Sequence, residues 1–254
     1  MRYMGGKHRQ SKVIVEHLCN HYDGGTYHEP FVGAFGVAEK AIPALYKLGC
    51  RDFRLGDLSQ PIIDMWRAIF EGWEPPDFVS EELWREYRPL RRGYVNDPLF
   101  AYCGHGASFG GRWFEGYARS ARGPNQDEGT RRSYRALKKA TLRKRDVLAP
   151  FMDMVRLRCC SYAETRPAES DLVYCDPPYG GRRNPYGSVH EGLDSGAFWA
   201  TCREWARQCT VLVSEFHAPA GITELHCWGH TIANHHNKSK RLDAKEYLMK
   251  LEAT

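Results

Sequence analysis

Residues Asp171-Leu172-Val173-Tyr174-Cys175 run directly into Asp176-Pro177-Pro178-Tyr179. The first five are mostly apolar and β-prone, so they read as a buried strand. Two consecutive prolines lack ladder donors and cannot extend a sheet, so the strand stops there and the backbone enters a stiff loop. This junction commits the chain to an α/β sheet. It also holds a carboxylate and an aromatic ring just past the carboxyl end of a strand. In open α/β sheets, that is where ligands bind.

A chain of 254 residues can bury a sizeable core, as one domain with an insertion or as one and a half domains. It contains no apolar run of membrane-spanning length and no leader-type apolar segment near residue 1, so a soluble, cytoplasmic protein is expected. The nine cysteines include no C-x-x-C pair, which fits reduced, mostly buried thiols. A net charge of +5 hints only mildly at an acidic partner, and its distribution says more. His226, Cys227, His230, His235 and His236 match no common zinc spacing, and no metal is expected.

The chain opens with an aromatic, a glycine pair and a lysine (Tyr3, Gly5, Gly6, Lys7) before an amphipathic helix from Ser11 to about His21, with Ser11 as its cap. Thr26 to Lys40 reads as strand, tight glycine turn and helix, in which Gly33 and Gly36 would let backbone approach a ligand. A second strand, Arg51 to Asp57, ends in an acid 24 residues beyond Gly33. An acid in that position suits a ribose hydroxyl pair, and Asp57 could also cap a helix over 58–70. Later strands are expected at 155–160, 171–175, 210–214, 226–232 and 247–251, with a helix over 198–207.

Residues 71–130 change character: prolines and glycines recur, and arginines alternate with aromatics, among them Arg112, Trp113 and Arg119. Short helices fit Glu81–Tyr87 and the stretch near Pro98–Gly104; 110–123 could be a hairpin or an irregular loop. Residues 131–145 then carry eight basic side chains and no acid. Helical spacing places Arg131, Arg135, Lys138 and Lys139 on one side and Tyr134, Leu137 and Thr141 on another. Such a run usually marks a solvated face, but without balancing acids it points to phosphate contact. A basic flap, Gly180 to His190 with Arg182 and Arg183, follows the tetrapeptide.

In this order, Tyr3 to Lys7, Glu29-Pro30-Phe31-Val32-Gly33-Ala34-Phe35, Asp57 and Asp-Pro-Pro-Tyr resemble the motifs of the Dam-like class of DNA adenine-N6 methyltransferases. The resemblance covers roughly 1–66 and 150–254. It implies a Rossmann-like α/β methyltransferase sheet from 1–66 and 151–254, with a small target-recognition subdomain inserted at 67–150. It further implies S-adenosylmethionine (SAM) as cofactor, bound by Tyr3, Lys7, Glu29, Phe31, Gly33, Phe35, Asp57, Ser161 and Asp176, and S-adenosylhomocysteine as product. Asp176, Pro177, Pro178 and Tyr179 would form the catalytic loop and target-base pocket. DNA would be the partner, held by Arg112, Arg119, Arg135, Lys138, Lys139, Arg182 and Arg183. Two departures matter: Cys160-Ser161-Tyr162 replaces the acid that relatives often carry after that strand, and the insert lacks the stretch typical of GATC recognition. Cytosine N4, an RNA base or a protein glutamine are rival substrates of the same tetrapeptide, with the basic, aromatic insert against the last. A DNA-binding relative without catalysis is the rival of another class. The oligomeric state stays open, with a monomer sufficing.

Overall fold

The computed structural model describes residues 2–119, 126–178, 193–217, 219–233 and 241–253. Within them the chain forms a single seven-stranded sheet, as the sequence led one to expect. Its strands are β1 (Tyr27–Glu29), β2 (Phe53–Asp57), β3 (Val155–Cys159), β4 (Leu172–Cys175), β5 (Thr210–Glu215), β6 (Ile222–Ala233) and β7 (Arg241–Leu251). The spatial order is β3-β2-β1-β4-β5-β7-β6. The first five strands are parallel, and β7 runs antiparallel to both β5 and β6. This is a Rossmann-like, doubly wound α/β fold: the order reverses between β1 and β4, and the crevice beyond their carboxyl ends is the ligand position of such sheets.

Residue choice explains where each strand sits. Leu172, Val173, Tyr174 and Cys175 are all buried, as an interior parallel strand covered on both faces requires. β3 alternates, with Arg156 and Arg158 facing out, because it lies at the sheet edge. At the amino end of the sheet, buried His28 Nε2 and Asp171 Oδ2 meet at 2.9 Å, and Asp171 Oδ1 also accepts from Thr26 N at 2.7 Å. Asp171 thus closes the start of β4 rather than entering the ligand end.

The helices differ from expectation at their caps. Helix α1 (Ser11–Asn20) buries Ile14, Val15 and Leu18, but Ser11 lies inside it and donates to His8 O instead of capping. After α2 (Ala38–Lys47), helix α3 (Gln60–Phe70) is preceded by Ser59, so Asp57 is not its cap residue; it receives Ser59 N from outside the helix. Helix α7 (Ser195–Ala206) begins three residues before the expected Phe198, with Asp194 Oδ1 accepting from Ala197 N. A short polar cap extends a helix beyond its apolar run.

Between α3 and β3 come α4 (Glu81–Tyr87), α5 (Pro98–Ala101) and the long α6 (Gln126–Leu148). The described part of 110–119 is irregular, tied by one bridge between Ser108 and Tyr117. α6 turns Tyr134, Leu137 and Thr141 inward, the side given by their helical spacing. Phe100, Tyr102, Trp113 and Tyr134 share one hydrophobic cluster with Phe53, Leu55 and Trp66. The intervening segment therefore packs on the sheet domain through a continuous apolar core.

Candidate active site

β4 delivers Asp176 to the switch point, where Pro177 and Pro178 end the strand. Tyr179, with Arg182 and Arg183 of the basic flap, lies outside the described residues. From the start of the chain, residues 3–7 fold over this point in a tight turn closed by Gly6 N donating to Tyr3 O at 3.2 Å. The turn buries Lys7, whose Nζ lies 2.6 Å from Asp176 Oδ1 and 3.1 Å from Glu246 Oε1 of β7. Glu215, at the end of β5, is also buried and adds negative charge to the same region.

This environment sets protonation. Burial raises the Asp176 carboxyl to about 6; Lys7 opposes the shift, while Glu246 and Glu215 add to it. Burial lowers the Lys7 ammonium, but Asp176 and Glu246 outweigh it, and the net shift is upward. Glu29, at the end of β1, is pushed to about 8 by burial, against the Tyr27 hydroxyl it accepts at 2.8 Å. At neutral pH the arrangement is one fixed cation surrounded by a surplus of carboxylate. Such a site favours ligand groups that are positive or that donate N–H bonds.

The glycine turn carries an unexpected partner. Gly33 has a φ of 46°, and a Cβ there would stand 2.8 Å from the Tyr3 ring; one on Gly36 would stand 3.2 Å from Lys7 N. The glycines thus admit the protein's own arm, a close approach that the sequence did not indicate. Asp57 spans the turn from β2, accepting Gly33 N at 2.9 Å and Ser59 N at 2.8 Å, with its carboxyl raised by burial to about 6. Phe35, expected at the cofactor, has no exposed side chain: it sits in the core against Trp66 and Phe70. Its φ of 57° is the left-handed conformation, which bulky residues rarely adopt.

Phe31 stacks on Tyr162 at 5.5 Å between centroids, and both meet the Phe198 edge. Ser161 lies beside this trio, but its side chain and backbone close a capping box with Glu164. Sequence reasoning missed Glu215, Glu246 and Tyr162. Only strand pairing brings Glu246 to Lys7, and no local pattern distinguishes that acid from an exposed one.

The basic residues are less free than their spacing implied. Arg135 pairs with Glu128, Lys138 with Asp77 and Glu74, Arg145 with Glu74, and Arg143 with Glu39. Arg112 pairs with Glu115 and Arg119 with Glu81. The balancing acids absent from 131–145 come from elsewhere in the chain. Exposed Lys139 and Arg132 have no ion pair among the described residues. Also among those residues, no group of three His, Cys, Asp or Glu is placed to hold a metal, and no helix is long and apolar enough to cross a membrane.

No family model and no curated protein matches the chain. Among solved structures, the rRNA methyltransferase aviRa from Streptomyces viridochromogenes aligns at 13% identity and a TM-score of 0.43, over 96% of this chain and 84% of that one. A SAM-dependent methyltransferase from Agrobacterium tumefaciens aligns at 12% identity and a TM-score of 0.41, over 98% of this chain and 62% of its own. Likeness at this level assigns no activity to the chain.

Proposed function

We propose that this chain is a SAM-dependent amino-methyltransferase acting on N6 of adenine in DNA. The observation that carries the reading is Asp176, fixed by buried Lys7 at the carboxyl end of β4, beside the sheet's switch point. The surplus of carboxylate from Asp176, Glu215 and Glu246 around the single Lys7 ammonium fits a ligand bearing a sulfonium and an ammonium group. Asp57, at the end of β2, is the group for a ribose diol. When bound, SAM supplies a methyl group already activated for transfer.

The protein's part is orientation. An exocyclic amine conjugated with a purine is a poor nucleophile. Asp176 accepts one of its N–H groups and the Pro177 carbonyl the other, which favours a pyramidal nitrogen with its lone pair directed at the methyl. The proton leaves after attack, so Asp176 need not be a strong base. Flipping the base out of a duplex costs roughly a few kcal/mol. Stacking on Tyr179 would offset about 1–3 kcal/mol of that. By the resemblance, aspartate at the first position of the tetrapeptide supports adenine over cytosine. Exposed Lys139 and Arg132 support a polyanionic partner.

Nucleosides from DNA and RNA methylated by the purified protein, weighed by mass spectrometry, test the reading. N6-methyladenine in DNA is expected, and Asp176→Asn should lower its formation by about 10²–10³-fold. N4-methylcytosine as the main product, or methylation confined to RNA, would overturn the substrate. No transfer to any nucleic acid would overturn the function.

A further inference from the structure

Lys144 lies on α6, within the segment between α3 and β3, yet its ammonium reaches the glycine turn of the sheet domain. It is buried, 5% exposed, and donates to Ala34 O at 2.5 Å and Phe35 O at 3.1 Å. Glu39 Oε2, in the first turn of α2, stands 3.7 Å away, and exposed Arg143 holds Glu39 Oε1 at 2.6 Å. A buried cation is costly unless its donors are satisfied, so this arrangement is maintained against desolvation. Its two acceptors flank the peptide where Phe35 is in the left-handed conformation. That conformation costs roughly 1–2 kcal/mol for a non-glycine residue and needs an external hold. The same turn continues into Gly36, where a Cβ would stand 3.2 Å from Lys7 N, and Lys7 in turn fixes Asp176.

We propose that Lys144 is a positioning residue that clamps the 33–36 turn, so that α6 sets the geometry of the cofactor side of the site. The path runs from α6 through Ala34 and Phe35 to Lys7 and Asp176. Engagement of α6 by a ligand therefore bears directly on the turn. The claim about cofactor binding rests on the function proposed above; the clamp itself does not.

Hydrogen–deuterium exchange on the unliganded full chain tests the clamp. Lys144→Met removes the donors and keeps the volume, and should speed exchange of the amides over 33–37 by about ten- to hundredfold, the worth of hydrogen bonds to a charged group. Leu137→Ala, which empties a buried position on the same helix, is the control for general loosening of α6 and should leave those amides unchanged. Equal exchange in Lys144→Met and wild type, or equal acceleration in Leu137→Ala, would overturn the clamp. Titration with SAM follows: a similar loss of affinity is expected for Lys144→Met and less than threefold for Leu137→Ala, by the same hydrogen-bond reasoning. Wild type that fails to bind SAM would remove the proposed function, and the exchange result would still decide the clamp. If Lys144→Met does not fold, exchange on wild type decides: SAM should protect both 33–37 and 140–148, and protection of the turn alone would overturn the coupling.

Discussion

Lys7 Nζ sits 2.6 Å from Asp176 Oδ1, although 169 positions separate the two in sequence. Glu246 Oε1 lies 3.1 Å from the same ammonium. One cation therefore serves two carboxylates, and the charge of Glu246 acts on Asp176 against that of Lys7.

The signs of the two neighbours of Asp176 are opposite, and pH profiles of methyl transfer should show it. Lys7 lowers the Asp176 carboxyl, whose value is about 6, and Glu246 raises it. If transfer needs ionised Asp176, the wild-type rate should fall below about pH 6. Lys7→Met should move that limb to higher pH, and Glu246→Gln to lower pH. Rates measured from pH 5 to 9 decide; shifts in the same direction would refute the electrostatic account.

Stability should decline as pH rises. The folded-state carboxyl of Glu29 is about 8, above its ordinary 4.5, and that of Asp57 is about 6, above 3.8. A group whose value is raised by folding favours the fold below its unfolded value and loses that contribution as pH climbs through the folded one. The window is about pH 4.5 to 8 for Glu29 and about 3.8 to 6 for Asp57. Glu29→Gln should flatten the upper part of the slope in denaturant midpoints taken from pH 4 to 9. An unchanged slope would place Glu29 outside this account.

Acids around α6 should weaken its hold on a polyanion. Glu74→Gln with Asp77→Asn releases Lys138 and leaves Arg145 with Asp146 as its remaining acid, and should tighten DNA binding at low salt. Arg135→Gln, Lys138→Gln and Lys139→Gln together should reduce the salt slope by about 0.9, one contact, rather than the roughly 2.7 of three free contacts. Filter binding across a salt series distinguishes these values.

Two glycines separate strain from contact. Gly33 and Gly49 both have positive φ, but a Cβ at Gly33 meets the Tyr3 ring at 2.8 Å while one at Gly49 meets nothing within 4 Å. Alanine at either should cost roughly 1–2 kcal/mol of stability. Only Gly33→Ala should also displace the arm and cut transfer. Matched activity in the two variants would show that the arm is not held through Gly33.

The strand and its double-proline stop were legible because β-propensity and the missing proline donors act locally, whatever the rest of the chain does. The same holds for the buried side of α6, where helical period alone separates Tyr134, Leu137 and Thr141 from the arginines. Asp57 and Lys7 stood out through their place in the motif order, but not the contacts they make with Gly33 and Asp176. What sequence could not supply were partners. Whether a basic residue is free depends on acids such as Glu74 and Asp77, which reach α6 only by packing. Whether a glycine leaves room for a ligand or for Tyr3 depends on where the arm folds. Phe35 reads as a site residue in its motif and lies in the core because Trp66 and Phe70 approach from α3. The sequence by itself determined the α/β strand pattern and placed Asp176 at a strand end, since both follow from short-range backbone and side-chain preferences. Only the tertiary structure decided that Glu246 and Lys144 join the site, because burial and charge pairing are properties of neighbours brought together from distant parts of the chain.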